Sequence, residues 1–306
     1  HEPKALLTYF GLSRAEMVRA AGAATPNNDT NILSEVRLSA LERDAPSGAE
    51  EPYGFLLAQF NADLAPYFPP ASAGLRLYDL GTHVLANGYW EMAQKIGQSL
   101  RGIDSVRAQW LDYELLWSAY DFDAAFALYA QRADWPDRIR RQQVQALADT
   151  HRFAAAARVL RSINNRNERA YAKAALFYAR QQWARLTQLE PVDATARAWR
   201  ALGNLKLHRN DGATLVSLVS EGVDDLTLLA VSRDVISTHT GTTPERAQRV
   251  TDAVAFRSRN LVRWAQKALA DKRPEYAAVL LGKLADLNPN AQELSPLRAQ
   301  LARLSR

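Results

Sequence analysis

Five similar stretches between Gly74 and Gly222 decide the fold of this chain. They read GLRLYDLGTHVLANGYWEMAQKIGQSL (74–100), VRAQWLDYELLWSAYDFDAAFALYAQ (106–131), DRIRRQQVQALADTHRFAAAARVLRS (137–162), NERAYAKAALFYARQQWARLTQLEP (167–191) and ARAWRALGNLKLHRNDGATLVSLVSE (196–221). An aromatic residue recurs in the first four at intervals of 32, 31 and 30 residues: Trp90, Phe122, Phe153 and Trp183. A period of this size is typical of stacked helical hairpins. We therefore predict an all-α fold, an α-solenoid of stacked hairpins.

Each hairpin is expected to pack through its second helix. The aromatic residue opens that helix, and in three stretches a small residue follows three positions later: Ala93, Ala125 and Ala156. A small residue lets two helices approach closely, and the aromatic ring fills the space between successive hairpins. Pro136 and Pro191 lie at the junctions between repeats, where the helices must break.

Several motifs in these stretches resemble the tetratricopeptide repeat, whose pattern is Trp, Leu-Gly and an aromatic residue, followed by Ala and Pro. The matching segments are Trp199–Gly203, Leu80–Gly81 with Gly88–Ala93, and Glu275–Ala277 with Asn288–Ala291. The period is shorter than that of the family, the second and third units lack Leu-Gly, and Leu186 and Leu215 replace the small residue. The resemblance therefore implies a degenerate array that serves as a binding scaffold, without indicating a partner.

The repeats do not cover the whole chain. We predict an irregular helical region in residues 1–70, five repeats in 74–222, irregular helices in 223–257, and a sixth hairpin with a capping helix in 258–306. Pro244–Ala270 is expected to form one long helix or a bent pair, because Pro244 suits the first turn of a helix. The capping helix is predicted over Ala291–Leu304.

Composition and motifs argue against several classes of function. The 306 residues carry a net charge of +5 and no cysteine, which excludes disulfides, thiolate zinc sites and cysteine nucleophiles. The basic bias is mild, so we do not expect nucleic acid as a partner. No apolar run is long enough for a transmembrane segment. We find no paired histidine motif, phosphate loop or Gly-x-Ser-x-Gly, and therefore predict no metal, no cofactor and no enzymatic activity.

The candidate binding surface is the side of the first helices that lines the concave face in this repeat class. It is rich in aromatic residues and arginine, which are enriched at interfaces. The residues predicted to line it are Tyr78, Trp110, Glu114, Trp117, Arg138, Arg141, Gln145, Tyr171, Tyr178, Arg197, Arg200 and Asn204. Arg138 with Arg141 and Arg197 with Arg200 lie one turn apart, so each pair is placed to clamp a carboxylate. The alternative is that Trp110 and Trp117 are packing residues and the arginines form a solvated face.

Three functional hypotheses follow. The first is a non-catalytic protein-interaction scaffold, whose groove binds an acidic peptide or helix of a partner. The second is a carbohydrate-handling module of an exopolysaccharide export system, in which aromatic residues stack on sugars. The third and weakest is an enzyme or regulator with its site in residues 1–70. The Ala- and Arg-rich, Lys-poor, Cys-free composition resembles a bacterial cell-envelope protein. A periplasmic or envelope location is therefore expected, with the cytoplasm as the alternative. Because His1 rather than Met begins the sequence, we expect that a longer precursor or parent chain exists.

Overall fold

The computed structural model describes residues 70–86, 88–223, 225–238 and 242–304. These residues form fourteen α-helices, which contain 77% of them, and they include no β-strand. The predicted all-α class is confirmed. The prediction of an irregular helical region falls almost entirely on residues 1–69, which lie outside the described residues.

The chain divides into two compact units, and the boundary lies between Ser118 and Ala119. The first unit contains three described helices: α1 (Pro70–Ala86), α2 (Trp90–Arg101) and α3 (Ser105–Ser118). Helix α1 packs on both α2 and α3, and α2 packs on α3. Gly81 of α1 has no room for a side chain, because a Cβ atom there would lie 2.5 Å from Leu111 Cδ2 of α3.

The second unit contains the other eleven described helices. They are α4 (Phe122–Tyr129), α5 (Asp137–Asp149), α6 (Phe153–Leu160), α7 (Arg166–Ala179), α8 (Trp183–Thr187), α9 (Ala194–Lys206), α10 (Gly212–Ser220), α11 (Leu226–Thr238), α12 (Pro244–Ala270), α13 (Pro274–Leu287) and α14 (Leu294–Leu304). Each helix packs on the next one in the sequence. In addition, α5 packs on α7, and α7 packs on α9. Packing of this neighbour-on-neighbour kind is compatible with a helical repeat.

The periodic aromatic residues occupy equivalent places in the structure. Trp90, Phe122, Phe153 and Trp183 are the first residues of α2, α4, α6 and α8. The residue three positions further on is fully buried in every case: Ala93, Ala125, Ala156 and Leu186. The larger Leu186 is accommodated by Gly203 of α9, where a Cβ atom would lie only 2.8 Å from Leu186 Cβ. The predicted packing of the small residues Ala93, Ala125 and Ala156 is therefore confirmed.

A second recurring feature was not predicted from the sequence. Among the described residues, five other than glycine have φ between 54° and 59°: Tyr120, His151, Gln181, His208 and Lys272. Four of them lie two residues before a helix. After His151 and Gln181, the next N–H donates to a carbonyl five residues back, from Arg152 to Leu147 at 2.7 Å and from Gln182 to Phe177 at 2.8 Å. This is the Schellman arrangement, which ends a helix in a left-handed residue.

The C-terminal helices settle two further expectations. Pro244–Ala270 forms one helix of 27 residues, with Pro244 in its first turn and Thr243 Oγ1 accepting the Arg246 N–H at 3.4 Å. The capping helix α14 begins at Leu294 instead of Ala291, because residues 291–293 form turns. Among the described helices, none combines the length and the apolarity that crossing a membrane requires.

Candidate functional site

In the first unit, three of the predicted surface residues meet between α1 and α3. The Tyr78 hydroxyl donates a hydrogen bond to Glu114 Oε1, and both side chains are buried. The Tyr78 and Trp110 rings meet edge to face at 5.6 Å, and the Arg107 guanidinium lies 5.5 Å from the Trp110 ring. Trp117 is half-buried, with its indole nitrogen inside the protein. These side chains contribute to helix packing within the first unit.

In the second unit, Arg141 connects α5 to α7. Its Nε donates to Glu168 Oε2 at 2.5 Å, and its guanidinium lies 4.6 Å from the Tyr171 ring centroid. Arg138, the other half of the predicted clamp, is exposed. Because Glu168 belongs to the same chain, Arg141 already has a carboxylate partner.

Tyr171 reaches from α7 to the beginning of α11. Its hydroxyl donates to Asp225 Oδ2, while Asp225 Oδ1 accepts the N–H groups of Thr227 at 2.9 Å and Leu228 at 3.2 Å. Asp225 therefore caps α11 and is only 6% exposed. Burial raises the pKa of Asp225, although the hydrogen bond from Tyr171 acts in the opposite direction. Burial and the charge of Asp225 raise the pKa of Tyr171 well above its ordinary value.

Tyr178 lies in an aromatic group with two tryptophans. Its ring meets Trp183 at 5.6 Å and Trp199 at 5.4 Å, both edge to face. Trp199 is 2% exposed, and its buried Nε1 has no hydrogen-bond partner among the residues that the structure describes. The buried Oε1 of Gln145 on α5 likewise has no hydrogen-bond partner among the described residues. Burial raises the pKa of Tyr178, so its hydroxyl stays protonated at neutral pH.

Helix α13 brings Lys283 to the same part of the second unit. Lys283 Nζ lies 3.5 Å from Asp149 Oδ2 at the end of α5 and 5.7 Å from the Tyr120 ring centroid. Burial raises the pKa of Tyr120 to about 12, against the opposing charge of Lys283. The pKa of Lys283 is lowered by burial but raised overall, chiefly by the charge of Asp149. We call the residues joined in this way the polar cluster: Tyr120, Asp149, Tyr171, Asp225 and Lys283.

The polar cluster was only partly foreseen. The sequence pattern gave Tyr171 but missed Tyr120, Asp149, Asp225 and Lys283. A sixth residue, Arg257 of α12, is close enough for the charges of Tyr120 and Tyr171 to act on it, and burial lowers its pKa. Nothing in the repeat period indicates these contacts, because Lys283 lies outside the periodic stretches. Since the hydroxyl of Tyr171 remains protonated, it donates to Asp225 and ties α7 to the beginning of α11.

The remaining predicted residues lie on α9. Asn204 Nδ2 donates to Asp211 Oδ2 at 2.8 Å, and Asn204 Oδ1 accepts from Arg209 at 3.1 Å, so this side chain stabilises the turn before α10. Arg197 is exposed and Arg200 half-buried. Neither arginine has a carboxylate partner within the described part of the chain.

Asp121 and Asp123, which flank Phe122 in the sequence, have different partners. Asp121 caps α4 by accepting the Ala124 N–H at 3.3 Å, while Asp123 is exposed and 3.7 Å from Arg152. No cluster of three or more His, Cys, Asp or Glu side chains suited to a metal ion occurs in the described ranges.

The fold defines this chain as an all-α protein whose packing is compatible with a helical repeat. No family model, curated protein or solved structure matches the chain. The arrangement of its own side chains is therefore the basis for a functional proposal.

Proposed function

We propose that this protein is a non-catalytic scaffold that binds an acidic segment of a partner protein. The hairpins of residues 74–222 would form a degenerate tetratricopeptide-like α-solenoid, within an assembly of the periplasm or cell envelope. Three recurring features support the solenoid: the aromatic residue that begins the second helix of the first four hairpins, the buried residue three positions later, and the left-handed turn that ends most first helices.

The observation that carries the binding proposal is the uneven distribution of charge. Residues 131–209, which include α5 to α9, contain sixteen Lys and Arg but only six Asp and Glu, whereas the whole chain has a net charge of +5. Among these basic side chains, Arg180, Arg197 and Lys206 are exposed and have no acidic partner in the described residues. A surface of one sign attracts partners of the opposite sign and repels others.

A labelled oligo-glutamate peptide tests this proposal at low and high salt. We expect the wild type to bind it, and Arg197→Glu combined with Arg200→Glu to weaken binding by at least about tenfold. The matched control is Arg246→Glu with Arg249→Glu, which makes the same charge change at exposed positions of α12, outside the basic stretch. Arg141 is unsuitable for this test because its substitution also breaks the ion pair with Glu168.

Two outcomes would count against the scaffold proposal. One is a wild-type protein that does not bind the peptide at low salt. The other is an equal loss of affinity in the Arg246 and Arg249 control, which would show that only the total charge matters. Circular dichroism and thermal melting must show that each variant remains folded.

The carbohydrate hypothesis remains a second candidate because of the aromatic group around Tyr178. The Trp199 ring centroid lies 6.4 Å from that of Tyr171 and 5.4 Å from that of Tyr178, and Trp199 Nε1 is a buried donor without a partner in the described residues. Titration with a neutral glucan oligosaccharide should then change the tryptophan fluorescence, and Trp199→Phe should abolish that change. No fluorescence response, or the same response in Trp199→Phe, would reject this candidate. A site in residues 1–70 falls almost wholly on residues that the structure does not describe.

A further inference from the structure

Three basic side chains lie over aromatic rings in successive hairpins of the second unit. The Arg152 guanidinium is 4.8 Å from the ring centroid of Phe126, and that of Arg180 is 5.6 Å from Phe153. Lys206 Nζ is 5.9 Å from the ring of Trp183. In every pair, the cation at the end of one first helix contacts the preceding second helix. We call Arg152, Arg180 and Lys206 the cation row.

The three contacts form one continuous line. Arg152 directly precedes Phe153, which is the ring beneath Arg180. Arg180 in turn lies three residues before Trp183, the ring beneath Lys206. The cations therefore follow one edge of the unit, at the turns between first and second helices. Because packed helices lie about 8–10 Å apart, neighbouring members of the row are separated by roughly 10 Å.

The charge of the row is accessible and poorly compensated. The Arg152 side chain is 54% exposed, and its neighbour Asp123 is 84% exposed at 3.7 Å, which makes a weak ion pair. Arg180 and Lys206 are exposed and have no carboxylate partner among the described residues. The helix dipole explains why a cation lies near a helix C-terminus. It does not explain why an aromatic ring lies beneath each of these cations. The ring restricts the cation before binding, which reduces the entropy that a partner must overcome.

We propose that the cation row is the contact line for an extended acidic segment, with one carboxylate of the partner at each hairpin. This inference rests on the proposed scaffold function and specifies where its partner binds. A peptide extended in the polyproline II conformation advances about 3.1 Å per residue with three residues per turn, so acidic residues three positions apart lie on one side and match the spacing of the row. Arginine at two of the three positions offers paired donors to a carboxylate.

The same geometry disfavours other polyanions. Single-stranded nucleic acid gains much of its affinity from bases that stack on free aromatic faces. In the cation row, a face of each ring is already covered by the protein's own cation. Stacking of sugar rings meets the same obstacle. The row therefore favours a ligand whose recognition depends on carboxylates alone.

The experiment uses the full chain and a labelled peptide in which glutamate occupies every third position between serines. The row variant is Arg152→Gln, Arg180→Gln and Lys206→Gln together. The matched control is Arg158→Gln, Arg161→Gln and Lys173→Gln, which removes three exposed charges from the same basic stretch. We expect the row variant to raise Kd at least about tenfold and the control to raise it less than about threefold. Arg152→Lys with Arg180→Lys keeps the charge but removes the paired donors, so its affinity should lie between those of the wild type and the row variant.

The outcomes separate this inference from the scaffold proposal. A wild-type protein that does not bind the peptide rejects the scaffold proposal and the row together. Binding that falls equally in the row and control variants rejects the row alone. Tighter binding of oligo-deoxythymidine or polygalacturonate than of the peptide overturns the choice of an acidic peptide. Should the triple row variant unfold, the three single substitutions at these exposed positions provide the same comparison.

Discussion

Arg273 and Asp121 are separated by 152 positions in the sequence, yet Arg273 Nη2 donates to Asp121 Oδ2 at 2.7 Å. Asp121 lies directly before α4, and Arg273 lies between α12 and α13. The beginning of the second unit therefore touches one of its last turns. The Asp121 side chain is 5% exposed and the Arg273 side chain 41% exposed. The carboxylate is thus the buried member of this ion pair.

Loss of the Arg273 side chain should destabilise the protein. Arg273→Gln is expected to lower the free energy of unfolding by about 1–3 kcal/mol, because the buried Asp121 carboxylate loses its charged partner. Arg166→Gln serves as the control, since the Arg166–Glu190 pair is exposed on both sides and should contribute nothing measurable. Urea denaturation measures both. If the two substitutions lower the free energy of unfolding equally, the ion pair between Arg273 and Asp121 contributes no more to stability than the exposed control pair.

Two glycines should respond to alanine in opposite directions. A Cβ atom at Gly203 would lie 2.8 Å from Leu186 Cβ and 3.1 Å from the Thr187 backbone nitrogen, so α8 would have to move. We expect Gly203→Ala to lower the free energy of unfolding by about 1–3 kcal/mol. Gly282 in α13 has open space around it, and Gly282→Ala should raise the free energy of unfolding by about 0.5–1 kcal/mol through helix propensity. Stabilisation by both substitutions would contradict the close approach of α8 and α9.

The left-handed turns predict a stabilising glycine. Gln181 is exposed with φ 54°, a conformation that disfavours side chains with a Cβ atom. Gln181→Gly should therefore raise the free energy of unfolding by about 0.5–1 kcal/mol. Ala154→Gly, at an exposed position inside α6, should lower the free energy of unfolding by about 1 kcal/mol. Thermal and urea denaturation show whether each substitution raises or lowers the free energy of unfolding. A loss of stability in Gln181→Gly would contradict the left-handed turn assigned at this residue.

The buried Asp225 should produce a measurable pH dependence. Its pKa is raised above the ordinary 3.8, so the folded state holds this proton more tightly than the unfolded state. The free energy of unfolding should therefore fall as the pH rises from about 4 through the raised pKa, and then level off. Asp225→Asn preserves an acceptor for the cap and a partner for Tyr171 but does not titrate.

The difference between the unfolding curves of wild type and Asp225→Asn isolates this effect from that of other carboxyl groups. The free energy of unfolding of the wild type minus that of Asp225→Asn should fall with increasing pH over the same interval. Asp225→Ala removes the cap as well and should cost about 0.5–2 kcal/mol at neutral pH. A pH-independent difference between wild type and Asp225→Asn would show that burial does not act on this carboxyl group.

The parts of the fold that repeat could be predicted from the sequence. Trp90, Phe122, Phe153 and Trp183 begin helices because each occupies the same local environment, and a regular period reports on local environments. The left-handed turns escaped prediction because His151 and Gln181 occupy positions where glycine is the usual signal. Local patterns therefore located the helices but not the chemistry of every turn.

The polar cluster could not be predicted for a different reason. The sequence pattern placed both Arg141 and Tyr171 on the candidate binding surface. The Arg141 guanidinium does lie close to Tyr171, 4.6 Å from its ring centroid. Asp225 and Lys283 reach the same region only because helices that are far apart in the sequence pack together within the second unit. No local pattern records such packing, so contacts such as Lys283 with Asp149 appear only in the folded structure.

The contact between Asp121 and Arg273 also limits how the second unit can change in length. In an open array, each unit touches only its neighbours, and hairpins can be gained or lost without disturbing the rest. Here, removing one hairpin would displace Arg273 by roughly 10 Å or more, far beyond hydrogen-bonding distance from Asp121. The second unit is therefore an assembly of fixed copy number, in which duplication or deletion of a hairpin breaks the contact between its own ends.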